Sequence, residues 1–254
     1  MIPRIIHYCW FGHNPKPRLA RKCIKSWKKY CADYDIVEWN EDNFDIQSCP
    51  VYVIQAYNEK KWAFVTDYVR LKVVFDNGGI YLDTDVEIIN KMDCLLDNTA
   101  YFGLETGNYV NTGLGFGAEK GEPFLQELMN DYNSIPFIKG DGGYDTIPCT
   151  MRNTRVFINH GLVRQDTEQL LDNRIRIFPT VAFCPLNPFT RTMRRSSESY
   201  SIHWFSASWI DKKTKKELRR KQLRAKFNLT GLLAKVLRKV LGKNYSKVRS
   251  LFKK

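Results

Sequence analysis

The sequence predicts an α/β domain over residues 1–211 followed by a basic helical tail over 212–254, and three observations point there. A strand, a helix and a second strand follow one another within the first forty residues. A longer helical stretch then stops at Asn77-Gly78-Gly79 and runs directly into an alternating strand. Finally, 254 residues, 43% of them hydrophobic and 13% aromatic, suffice for one large core.

The first strand is expected at Ile5 to Trp10. Leu19, Cys23, Trp27 and Tyr30, spaced three or four apart, predict a helix over Pro17 to Tyr30, and Tyr34 to Trp39 alternates as a second strand. This βαβ unit is followed by a helix expected from about Val53 through Phe75, with Phe64, Tyr68, Leu71 and Phe75 as its apolar stripe. Asp67 and Arg70, three apart, share a face of it. The strand Ile80 to Ile89 should then turn Ile80, Leu82, Thr84 and Val86 to one side and Tyr81, Asp83 and Asp85 to the other. Residues 100–118 read as a strand pair, with glycines 103, 107, 113, 115 and 117 marking turns or close backbone approach. Phe124, Leu128 and Tyr132 predict a helix over 122–135, 139–146 reads as a surface loop, and 200–209 closes the body.

The net charge of +13 is concentrated at one end. Residues 212–254 hold 17 Lys or Arg against Glu217 alone, whereas 1–211 hold 23 basic and 26 acidic residues. Seven scattered cysteines without a metal-type spacing argue against a disulfide framework and suit a reducing compartment. No window has the roughly 18 consecutive apolar residues of a membrane span, and the N-terminus lacks a cleavable leader pattern, so a cytoplasmic location is expected.

Asp83-Thr84-Asp85 is the strongest chemical signal. Two carboxylates at a strand end can converge on a divalent ion, and hard cations such as Mn²⁺ and Mg²⁺ choose carboxylate, water and phosphate oxygens. A D-x-D triplet alone also describes a solvated acidic turn. Beside a Gly-Gly turn, and after a helix presenting Asp and Arg, it asks for a binding role.

The runs Thr66-Asp67-Tyr68-Val69-Arg70 and Asp76-Asn77-Gly78-Gly79-Ile80-Tyr81-Leu82-Asp83-Thr84-Asp85 resemble the signature of the DXD-sugar glycosyltransferases. That group includes capsular-polysaccharide transferases and yeast-type α-mannosyltransferases (glycosyltransferase family 32-like), with the glucosylating domains of clostridial toxins as distant members. Ile2 to Gly12 resembles the opening strand of the same group. The resemblance implies a GT-A, Rossmann-like nucleotide-sugar fold, a Mn²⁺ or Mg²⁺ cofactor, and transfer of a hexose to a glycan with retention of configuration. It implies that Trp10 stacks on the nucleotide base, with His7, Tyr8 and Thr66 lining the donor site. Asp67 and Arg70 would hold sugar and ribose, Tyr81 would line the pocket, Asp83 would address ribose and metal, and Asp85 would ligate the ion. In the closing stretch His203 and Ser208 would complete the metal site, with Ser206 the alternative hydroxyl, and Trp209 would donate to phosphate. Asn111 would contact the donor hexose or the acceptor. A UDP-hexose is the favoured donor and GDP-mannose the second.

Within the tail, Leu229, Leu232, Leu233, Val236, Leu237, Val240 and Leu241 form one apolar stripe among Lys and Arg. Such a helix suits an anionic membrane surface, each nearby basic residue contributing roughly 1 kcal/mol, and a lipid-linked glycan acceptor would make that docking useful. Packing of the stripe on the body is the alternative. No aromatic platform accompanies the charge, so nucleic acid is not expected as a partner. Surface-polysaccharide assembly at the inner face of a bacterial membrane is the setting this reading suggests. A nucleotidyl or phosphoryl enzyme using the same aspartates, and an inactive sugar-binding module, are the competing functions.

Overall fold

The structure, a computed structural model, describes residues 1–206 and Arg220. The chain divides into two compact units, Met1–Leu186 with Met193–Trp209, and Asn187–Thr192 with Ile210–Lys254. In the second, the described stretch is a turn in which Asn187 Oδ1 accepts the N–H groups of Phe189 and Thr190, each at 2.9 Å. The expected amphipathic helix lies outside the described residues.

The βαβ opening is present as Ile5–Cys9 (β1), Arg18–Tyr30 (α1) and Asp35–Trp39 (β2). β1 and β2 pair in parallel, with Ile6 opposite Ile36. α1 buries Cys23 and Trp27 completely, and Lys28 and Lys29 lie in its last turn, where the helix dipole favours positive charge.

The single helix expected from Val53 to Phe75 is two helices, Val51–Asn58 (α2) and Trp62–Asn77 (α3). The chain breaks between them because Lys60 takes φ 55°, outside the right-handed helical region. α3 buries Val65, Val69, Val73 and Val74 as well as Tyr68 and Leu71, so its apolar surface is wider than one stripe. Gly78 ends it at φ 69°, and a Cβ there would lie 2.8 Å from the Pro3 ring.

The continuous strand expected from Ile80 is also two, Gly79–Tyr81 (β3) and Val86–Ile88 (β4), in different sheets. Asp83, Thr84 and Asp85 form the turn between them, closed by Val86 N–H donating to the Asp83 carbonyl at 2.9 Å. The two carboxylates are therefore presented by a turn and not by a shared strand face.

Ala100–Glu105 (β5), Tyr109–Val110 (β6) and Phe116–Ala118 (β7) follow, then Pro123–Asn133 (α4) and Cys149–Asn159 (α5). Gln169–Leu171 (β8), Ile175–Phe178 (β9), Thr180–Phe183 (α6) and Ser201–His203 (β10) complete the unit. The main sheet runs β2-β1-β3-β7-β5-β9-β8, with β6 paired to β5, and β10 pairs antiparallel with β4 apart from it. β3 is parallel to β1 and antiparallel to β7, which is antiparallel to β5, itself parallel to β9. Hence β1, β2, β3, β5 and β9 all point the same way, and their C-terminal ends share one edge. In open α/β sheets that edge is where ligands bind.

The sheet separates two cores. Phe102 and Leu104 of β5 join Val69, Val73, Phe116, Phe124 and Phe157 on one side. Tyr101 joins Ile6, Trp27, Ile80, Leu82 and Phe183 on the other. This alternation within β5 is the period of two that a strand buried on both faces requires. No helix among the described residues is long and apolar enough to cross a membrane.

Candidate active site

Arg70 organises the first part of the site. Its α3 position buries it to 4% exposure, which is tolerable only because its donors are engaged. Nη2 lies 3.2 Å from Asp67 Oδ1 and 3.3 Å from Asp83 Oδ1. Nε donates to the Thr66 carbonyl at 3.0 Å and Nη2 to Thr66 Oγ1 at 3.3 Å. The guanidinium also lies 5.3 Å from the centre of the Tyr81 ring, whose hydroxyl donates to Asp83 Oδ1 at 3.1 Å. Thr66, Asp67, Arg70, Tyr81 and Asp83 thus form one connected cluster. Burial pushes the Asp83 and Asp67 carboxyls up, against the opposing pull of Arg70.

Asp85 faces the other way along the turn. Its Oδ1 is 3.0 Å from His203 Nε2, and its Oδ2 accepts the Ser206 backbone N–H at 2.7 Å. Burial raises the Asp85 carboxyl, but His203 and the Ser206 donor outweigh it and hold the group well below the usual carboxylate range. Burial likewise lowers His203, and Asp85 reverses the shift. β10 delivers the histidine because it pairs with β4, putting His203 opposite Val86.

Asp83, Asp85 and His203 each offer one ligand atom within 4.8 Å of the others. Two carboxylate oxygens and an imidazole fit a divalent first-row cation such as Mn²⁺. His203 Nδ1 is buried with no hydrogen-bond partner among the described residues, so the ring is oriented by its Asp85 contact and by the Phe205 ring 4.2 Å away. Holding a cation there requires the neutral imidazole.

The β6–β7 loop closes the site from the side. Asn111 Oδ1 accepts the Gly113 N–H at 2.7 Å, and the Gly113 carbonyl accepts Asp83 N–H at 3.3 Å. A Cβ on Gly113 would overlap Asp83 Oδ2 and lie 3.1 Å from both Arg70 Nη1 and Asn111 Oδ1. Only glycine lets this backbone pass so close to the carboxylate. Thr112 is fully buried, its hydroxyl 3.5 Å from Arg70 Nη1.

The residues of β1 stand differently. His7 is buried with both ring nitrogens engaged, Nε2 at 2.8 Å from the Gly78 carbonyl and Nδ1 accepting from Trp39 Nε1 at 3.0 Å. Tyr8 is buried against Trp27 and donates its hydroxyl to Glu38. Both side chains have their polar atoms engaged within the protein. Trp10, just past the β1 end on the shared edge, is half-buried, with Nε1 donating to the Asn14 carbonyl at 2.6 Å. Lys16 Nζ sits 5.6 Å from its ring centre. Ser208 and Trp209 lie outside the described residues. Of the two candidate serines, Ser206 is the one described, held to Asp85 through its backbone.

Sequence reasoning missed three participants. Cys149, first residue of α5, brings Sγ to 4.0 Å from Arg70 Nη1. Asn153 Nδ2 donates to Thr112 Oγ1 at 3.2 Å. Glu105 accepts from Asn111 Nδ2 at 2.9 Å. Only Glu105 carried a signal, as an acidic residue ending an apolar strand just before a glycine turn.

Residues 17–102 match the family model described as the glycosyltransferase sugar-binding region containing the DXD motif. Inositol phosphoceramide mannosyltransferase 3 of Schizosaccharomyces pombe is 29% identical over 143 residues, covering 54% of this chain and 38% of that protein. Inositol phosphoceramide mannosyltransferase 1 of the same yeast is 24% identical over 144 residues, covering 53% and 44%. The chain therefore spans less than half the length of these relatives. Among solved structures, PaToxG glycosyltransferase is similar with a TM-score of 0.47 and 15% identity, over 62% of this chain and 68% of that one. A glycosyltransferase involved in glycosylation of the major capsid of PBCV-1 is similar with a TM-score of 0.46 and 13% identity, over 85% and 99%. Asp67, Arg70, Tyr81, Asp83 and Asp85 all fall inside the matched segment, which is similar to the sugar-binding region of the DXD-motif glycosyltransferases.

Proposed function

We propose that this protein is a metal-dependent, retaining glycosyltransferase that moves a hexose from a nucleotide-sugar donor to a glycan acceptor. The observation that supports it most is the convergence of Asp83, Asp85 and His203 within 4.8 Å on the ligand-binding edge of the sheet, beside the buried Arg70. Asp83, Asp85 and His203 would hold a Mn²⁺ or Mg²⁺ ion, which neutralises charge developing on the departing diphosphate. Arg70, fixed by Asp67, Thr66 and Asp83, supplies a second, immobile positive charge at the same place. Asp67 and Asn111 offer acceptors and donors to sugar hydroxyls, and the Trp10 ring offers a face to the base.

A UDP-hexose remains the first donor expected from the sequence resemblance, and the mannosyltransferase names of the two yeast relatives support GDP-mannose. Surface-polysaccharide assembly, a lipid-linked acceptor, and attachment of residues 212–254 to the cytoplasmic membrane face rest on the sequence alone. The direct test is hydrolysis of a panel of UDP- and GDP-sugars with Mn²⁺ or with chelator, comparing wild type with Asp85→Ala. One donor should be hydrolysed only with the ion, and not by the variant. Binding without turnover of any donor would favour a sugar-binding module, and no binding at all would sink the reading.

A further inference from the structure

Glu105 is a carboxylate at the binding edge that the proposed chemistry leaves without a task. It ends β5, which runs in the same sense as β1 and β3, so its side chain emerges on the edge that carries Trp10 and Asp83. Its orientation is determined by Asn111. The Asn111 amide cannot flip, because Oδ1 already accepts the Gly113 N–H at 2.7 Å, so Nδ2 must donate to Glu105 Oε2 at 2.9 Å. Glu105 Oε1 has no hydrogen-bond partner among the described residues and is not one of the buried unsatisfied atoms. The residue as a whole is partly exposed beside Asn111.

The pair is tied to the reacting centre through backbone. Asn111 holds Gly113, and Gly113 passes against Asp83 and Arg70. Glu105 is thus linked through Asn111 and Gly113 to Asp83. Yet Glu105 is not among the residues grouped as ligands with Asp83, Asp85 and His203. A carboxylate oxygen and an amide N–H, both oriented and half-shielded, form a recognition pair for a hydroxyl group, which accepts from one and donates to the other.

We propose that Glu105, positioned by Asn111, is a specificity-determining residue that binds a hydroxyl of the transferred hexose. This inference rests on the transferase reading above. A nucleoside diphosphate without its sugar does not need this contact, whereas the intact donor does. A site built to bond a hydroxyl also rejects the donor whose hydroxyl points elsewhere, because its own polar groups are then left unpaired.

Glu105→Gln isolates the role. Glutamine can still present its carbonyl to Asn111 Nδ2, which retains the local structure and turns the free acceptor into a donor. The experiment measures UDP and GDP affinity with Mn²⁺ by calorimetry, thermal unfolding, and kcat/KM for hydrolysis of UDP-glucose, UDP-galactose and GDP-mannose. Nucleotide affinity and melting temperature should stay at wild-type values. The kcat/KM for the preferred donor should fall about 10- to 100-fold, the range for loss of a hydrogen bond to a charged group, and the preference between the two epimeric UDP-sugars should shrink. Wild-type kcat/KM with unchanged preference would overturn the inference while leaving the transferase intact. A parallel loss of nucleotide affinity and melting temperature would reassign Glu105 to a structural role. A wild-type protein that neither binds nor hydrolyses any of these donors would remove the transferase reading, and this inference with it.

Discussion

Gly113→Ala is the smallest change expected to disable the site. The added methyl carbon would overlap Asp83 Oδ2 and press at 3.1 Å on Arg70 Nη1 and Asn111 Oδ1. Two of these cannot yield freely. Arg70 is 4% exposed and bonded to Thr66, and Asn111 is anchored by the Gly113 N–H itself. The strain must therefore be relieved by moving the Asp83 carboxylate by about 1 Å, and misplacements of that size typically cost on the order of 100-fold in turnover. The stability cost is that of overpacking, about 1–3 kcal/mol, so the variant should remain folded at 25 °C. Mn²⁺-dependent donor hydrolysis, run beside urea unfolding, separates the two effects. Near-wild-type kcat in the folded variant would refute the claim that the added methyl displaces the Asp83 carboxylate from its working position.

Two further outcomes test other parts of the structure. Arg70→Met leaves Asp67 and Asp83 without their buried cation and should cost about 3–5 kcal/mol, visible as a lower urea midpoint; an unchanged midpoint would mean that the cluster relaxes into water. His160, bonded to Glu127 at 2.9 Å and Asp172 at 2.5 Å, has its pKa raised by these two bonds. Its stabilising contribution is therefore complete below the unfolded value of about 6.5 and is lost as pH rises through the higher folded value. The stability gap between wild type and His160→Gln should narrow as pH rises from mildly acidic to alkaline, measured by urea unfolding; a gap that widens would contradict the assignment.

Legibility in the sequence followed physical periodicity. The βαβ unit was readable because Cys23 and Trp27 recur at helical spacing between two alternating strands. The break at Lys60 left no trace, since α2 and α3 are both apolar on either side of three polar residues. The Asp83–Asp85 turn was hidden for a subtler reason. Ile80, Leu82, Val86 and Ile88 keep a period of two across it, although they belong to two different sheets. α5 escaped because the residues it buries include Arg152, Asn153 and Thr154, a polar face that an apolar pattern does not detect. The Asp67–Arg70 face and the D-x-D triplet were visible as local spacing. The Glu105–Asn111 bond and the Gly113 approach depend on strand order, which a linear pattern does not contain.

The pairing of β10 with β4 has a consequence for how the molecule is made. The Ser206 N–H that caps Asp85 comes 121 residues after it in the chain. While the polypeptide leaves the ribosome, the strands around Asp83 can assemble long before their imidazole partner exists. Until β10 arrives, Asp85 lacks both its cation and its backbone donor, and the two neighbouring carboxylates of the turn repel one another. The proposed cation site therefore gains its imidazole and its Ser206 donor only once β10 has been made.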